Sequence, residues 1–211
     1  MSERYLVYFA DPMCSWCYGF GPELDALLRE RPGLRVDVVM GGLRAYNQES
    51  VTPEFRRSTA EHWAHVARES GLPFDDAALA REGFVYDTEP ACRAVVAVRA
   101  TDAARALPYL KRVQRAFYAE GRDVTSPETL ADLAAEEGLD RGVFLAAHAS
   151  QEARDAVRQD FAATQQSGVT GFPTLAAAYP DRRYFLVTAG FAHATELAHR
   201  LERIDAIATM D

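Results

Sequence analysis

Residues 11–20 read 11-DPMCSWCYGF-20 and place two of the chain's three cysteines, Cys14 and Cys17, three positions apart, directly after the apolar run YLVYFA (Tyr5–Ala10). Two thiols at this spacing can be a redox pair, half of a zinc site or a coincidence of packing. The run before them, aromatic and β-branched, predicts a buried strand. After them Phe20, Leu24, Leu27 and Leu28 recur at helical spacing until Arg31-Pro32-Gly33 stops the helix. A strand ending at Ala10 and a helix beginning near Cys14 put the first thiol at a helix N-terminus, where unpaired N–H groups and the positive dipole end favour a thiolate. Cys17, one turn along and facing inward, can then attack a mixed disulfide intramolecularly. This assigns the attack to Cys14 and the resolution to Cys17, and it requires an exposed sulfur at 14 with its neighbour close enough to bond. Ser15-Trp16 supplies no cation between the thiols, so the helix terminus is the main acidifying element. Pro22 has no N–H and should kink the helix, leaving the cysteines on a short first segment.

Working outward, residues 34–40 form a second expected strand with Val36, Val38 and Met40 on one face, closed by Gly41-Gly42. That makes a β-α-β start, whose parallel pair should cross over right-handed. From 52 to 166 no strand pattern appears and helix starts dominate. Thr52-Pro53-Glu54 and Ser126-Pro127-Glu128 each offer a hydroxyl cap, a proline at the first helical position and an acid in the first turn, and Thr88-Glu89-Pro90 is a variant. Gly71, Gly121 and Gly138 are matching stops, so the stretch predicts four to six helices, an insertion between strands. Beyond it, 167–174 is a loop, 175–178 and 183–188 are strands around a Tyr179-Pro180-Asp181 turn, and Leu197, Leu201 and Ile204 mark a last helix. Strands joined so tightly pair antiparallel, so the sheet should be mixed.

With 211 residues, 48% hydrophobic and 26% charged, the chain has the composition of a soluble globular protein. A net charge of −8 without a basic stripe argues against a nucleic-acid partner. The N-terminal apolar stretch is too short for a secretory signal, and no run reaches membrane-span length, so the expected location is cytoplasmic. Thiols there are kept reduced, which favours a catalytic or metal-binding role for the pair over a structural staple.

The order of these elements, together with Asp-Pro-X-Cys-X-Trp-Cys-Tyr and the later Gly-Val-X-Gly-X-Pro-Thr, resembles the DsbA-like branch of the thioredoxin superfamily, and within it the cytosolic FrnE-like predicted disulfide isomerases. The resemblance covers almost the whole chain. It implies an α/β thioredoxin fold with a mixed central sheet and an inserted all-helical domain, divided as 1–50, 51–160 and 161–211. It implies that Pro173 is a cis-proline beside the cysteines, preceded by Phe172, in a loop that pairs with an extended substrate, and that Gly190-Phe191 borders the site. The chain departs from periplasmic members in its Ser-Trp dipeptide and in lacking a signal peptide, which weakens a strongly oxidising, secretory role.

Other residues have plainer readings beside functional ones. Cys92 shares a helix face with Val95 and Val96 and reads first as a buried, inert thiol, second as a gating or regulatory one. His62 and His65 have i, i+3 spacing but no third metal ligand in view, and zinc at Cys14 and Cys17 would need two further ligands. Asp11 suits a turn, with proton relay to Cys17 as the alternative. Trp16 and Tyr18 suit a substrate rim. The expected activity is thiol-disulfide oxidoreductase or isomerase chemistry on protein or small-molecule disulfides, without metal or organic cofactor and with glutathione as a candidate co-substrate. The alternatives are a glutathione-dependent isomerase or transferase of the same fold and a non-enzymatic redox-sensing module that binds a partner protein.

Overall fold

The computed structural model describes residues 4–208. Strand β1 (Tyr5–Ala10) is buried along five of its six residues. It runs parallel to β2 (Val36–Met40) and antiparallel to β3 (Thr174–Ala178), which pairs antiparallel with β4 (Tyr184–Ala189). The order β2-β1-β3-β4 gives the mixed sheet that the hairpin signals predicted. The second strand begins at Val36 rather than at 34, because the Leu34 N–H closes a turn on the Arg31 carbonyl (3.2 Å) and Gly33 takes a positive φ of 86°.

Helix α1 (Ser15–Glu30) connects β1 to β2 and buries Phe20, Leu24 and Leu27. It runs as one helix through Pro22. Proline removes one hydrogen bond, to the Tyr18 carbonyl, and the packed positions on either side hold the helical path.

Seven α-helices fill the stretch between β2 and β3: α2 (Pro53–Ser70), α3 (Ala77–Ala80), α4 (Glu89–Thr101), α5 (Ala106–Tyr118), α6 (Pro127–Glu136), α7 (Arg141–Ala149) and α8 (Gln151–Gln166). The count exceeds the expected four to six because α3 is a single turn. Thr52 and Ser126 cap α2 and α6, accepting from the N–H groups of Phe55 (3.1 Å) and Thr129 (3.5 Å). Thr88 does not cap α4. Its backbone is already helical and its hydroxyl accepts from the Arg44 N–H (3.2 Å), tying the loop after β2 to the insertion. Helix α9 (Ala194–Ala208) packs on α1 and β4.

Helix α8 runs without a break across residue 160 and is anchored to the sheet there. Asp160 accepts from the Met40 N–H (2.9 Å) and takes both ends of the Arg99 guanidinium (2.8 Å each), while the same guanidinium donates to the Val38 carbonyl. Bidentate pairing of this kind fixes geometry as well as charge. A single cluster of buried side chains runs from the sheet through the helices.

Candidate active site

Cys14 occupies the N-cap of α1 with an extended backbone (φ −96°, ψ 116°), and its side chain makes no capping bond. Its N–H donates to the Asp11 carbonyl (3.1 Å) and its carbonyl accepts from the Tyr18 N–H (3.1 Å), so the turn and the first helical bond hold it from both sides. The thiol points instead across the sheet's end at the Phe172 carbonyl, 3.6 Å away. The Phe172–Pro173 peptide is cis, and the Pro173 carbonyl accepts from the Gly190 N–H (2.7 Å). The elements thus bring Cys14, Phe172, Pro173 and Gly190 together from opposite ends of the chain. Gly41 makes this possible: a Cβ there would lie 2.1 Å from the Phe172 ring.

Cys17 is wholly buried. Its thiol lies beside that of Cys14, and burial pushes its pKa well above the ordinary thiol value, with the neighbouring Cys14 adding to the shift. Cys14 differs from the sequence expectation. It is only 6% exposed, not open to solvent, because the Phe172 loop closes on it and the helical block covers the turn. The Tyr86 hydroxyl, from the loop before α4, donates to the Met13 carbonyl (2.5 Å) and lies 3.3 Å from the Tyr118 hydroxyl. Neither tyrosine was marked by the sequence pattern. Tyr86 lies in a loop without periodicity, and Tyr118 is one of many apolar positions on α5.

Trp16 is half-buried among three rings. His65 and His62 of α2 meet it edge-on at 5.5 and 6.2 Å, and Phe191 lies tilted at 5.6 Å. The histidine pair therefore faces the indole. Among the described residues no group of three or more His, Cys, Asp or Glu side chains could hold a metal ion.

Asp11 is also wholly buried. Its carboxylate accepts from the Met13 N–H (2.8 Å) and the Leu43 N–H (2.7 Å), and the Cys92 thiol donates to it at 3.4 Å. Burial raises its pKa, and these bonds together with the Thr88 hydroxyl oppose the rise. Three segments meet on this one group: the active-site turn, the loop after β2 and helix α4. Cys92 itself is fully buried, and burial beside that carboxylate pushes its pKa well above the ordinary thiol value.

The DSBA-like thioredoxin domain family matches residues 5–201. The chain belongs to this family. Among solved structures, a protein from Nitrosomonas europaea assigned as a disulfide isomerase is 34% identical, with a TM-score of 0.88 over 95% of this chain and 97% of the other. The cytosolic disulfide reductase DsbM of Pseudomonas aeruginosa is 30% identical, with a TM-score of 0.75 over 98% of both chains, and it also has a structure with GSH. A 2-hydroxychromene-2-carboxylate isomerase shares the fold at 14% identity. No curated protein matches the chain. Among the described residues no helix is long and apolar enough to cross a membrane.

Proposed function

We propose that this DSBA-like protein is a thiol-disulfide oxidoreductase that works through Cys14 and Cys17 on disulfides of proteins or small molecules. The observation that carries the reading is the asymmetry of two neighbouring thiols. Cys14 sits at a helix N-cap with its sulfur turned toward the Phe172 loop, whereas Cys17 is sealed and held as a thiol. In the forward reaction the Cys14 thiolate attacks one sulfur of the substrate disulfide. A Cys14–substrate bond forms, the substrate S–S bond breaks, and its other sulfur leaves as a thiolate. Cys17 then loses its proton and attacks the Cys14 sulfur, releasing the second substrate thiolate. The pair ends oxidised and the substrate reduced by two electrons. Run from the oxidised pair, the same steps make a disulfide, and stopping at the mixed disulfide allows isomerisation.

Phe172 would offer its backbone to an extended substrate beside the cis-Pro173 ring, with Trp16 as a rim, and Asp11, Gly190 and Cys92 as supports of the turn and loop. The likeness to DsbM supports a cytoplasmic setting and glutathione as the co-substrate that restores the pair. The complete pair favours this reading over single-thiol glutathione transfer, because Cys17 gives Cys14 an internal resolving partner. Insulin reduction by dithiothreitol tests it. The protein should accelerate the reaction and Cys14→Ser should fall to the uncatalysed rate. A Cys14→Ser protein as active as its parent would refute the role.

A further inference from the structure

The sheet has two unlike faces. On one, Leu6, Tyr8, Val38, Met40, Leu175 and Val187 enter the main core. On the other, the register aligns Val39, Phe9, Thr174 and Ala189 in a row beside Pro173, then Asp37, Val7, Ala176 and Leu186, then Tyr5, Ala178 and Tyr184. Val39, Phe9 and Thr174, then Asp37, Val7, Ala176 and Leu186, then Tyr5 and Tyr184 line a cleft of about 570 Å³, walled on one side by Ala163 and Ser167 of the α8 end. Cavities of that size hold drug-sized ligands or a few residues of a peptide.

Three observations say what fits. The cleft is continuous with the groove beside the Phe172–Pro173 loop, since Ser167, Val169, Thr174 and Leu186 line both. Its open side carries Leu186 and Tyr184, 63% and 60% exposed, two residues apart on β4 and pointing the same way. Its one charged lining group, Asp37, is paired with Arg35, so the charges at that end offset each other and the rest of the lining is uncharged. Large apolar side chains grouped on a surface mark a contact site.

We propose that this outer sheet face binds an extended apolar segment of the substrate polypeptide, next to the segment whose disulfide is exchanged at Cys14. The proposal rests on the oxidoreductase reading for its occupant. A chain leaving the Pro173 loop crosses the Thr174 row first and lays alternate apolar side chains on Val7 and Leu186. Tyr5 and Tyr184, in the last row of the face, mark the polar end. Small disulfides do not reach this face, so it selects unfolded proteins.

The test separates the face from the chemistry. Carboxymethylated insulin B chain, which has no free thiol, is titrated against protein carrying Cys14→Ala and Cys17→Ala, with and without Leu186→Glu or Tyr184→Glu. Each substitution lies on the surface and should weaken binding about tenfold, an effect of about 1.4 kcal/mol. In the thiol-bearing protein, Tyr184→Glu, which lies outside the groove beside the Phe172–Pro173 loop, should raise KM for insulin by a similar factor while turnover of glutathione disulfide stays unchanged. Equal B-chain binding by parent and variants overturns the proposal. So does sedimentation showing a dimer that Leu186→Glu dissociates, for the face would then be covered by a second copy. If B chain binds through Leu186 but no disulfide is turned over, the oxidoreductase reading fails and the docking face stands.

Discussion

Cys14 and Cys92 are both almost without solvent contact, yet the regions around them are built in opposite ways. At the start of α1 the thiol sits at the helix's N-terminal end, with the Phe172 carbonyl across a loop and the Cys17 thiol beside it. At the start of α4 the thiol donates a hydrogen bond to a buried carboxylate and is held as a neutral donor. Burial alone therefore does not separate a working cysteine from an inert one. What differs is the acceptor each thiol meets, a backbone carbonyl of the cis-proline loop at Cys14 and a buried carboxylate at Cys92.

That contrast can be broken from the α4 side. If the start of α4 is a structural anchor, removing its acceptor should cost stability. Asp11→Ala strands the N–H groups of Met13 and Leu43 and the Cys92 thiol without their shared partner. A loss of about 3 kcal/mol in urea unfolding is expected, since each buried donor left unsatisfied costs about 1–3 kcal/mol. A variant as stable as its parent would mean that Asp11 does not hold these segments together.

A smaller effect sharpens the same point. His148 of α7 meets the Pro90 carbonyl at 3.0 Å, two residues before Cys92, and its own carbonyl accepts from Arg93. Burial, reinforced by the Arg93 charge, lowers the His148 pKa to about 4. The unfolded chain, with histidine near its ordinary value of ~6.5, takes up this proton first as the pH falls. Its contribution to stability is full above that value and is lost as pH drops toward 4. Unfolding measured at about pH 7.5 and about pH 4.5 should differ by about 2 kcal/mol more in the parent than in His148→Gln. An identical pH dependence in the two proteins would show that the anchor admits water.

The same contrast explains how far the sequence could be read. The strand at Tyr5–Ala10, the helix after Cys14, the mixed sheet and the capped helices at Thr52 and Ser126 follow local rules, and the motif pair carried the fold family. The lid over Cys14 followed none of them. Tyr86, Tyr118 and the Phe172 carbonyl reach the turn only through tertiary packing, so a thiol expected to be exposed is nearly covered. Thr88 reads locally as a cap, but a partner 44 residues earlier, Arg44, takes its hydroxyl. Pro22 reads locally as a kink, and α1 continues through it. Cys92 and Asp11 each had a bland reading, and what neither segment could reveal alone is that they meet.

The contrast between the two thiols is tested most directly by alkylating the fully reduced, native protein with iodoacetamide and mapping the modified residue by mass over time. Cys14 should be modified first, with Cys17 and Cys92 following only on unfolding in urea. Modification of Cys92 as fast as Cys14, or no reaction at Cys14 until the protein unfolds, would contradict the account.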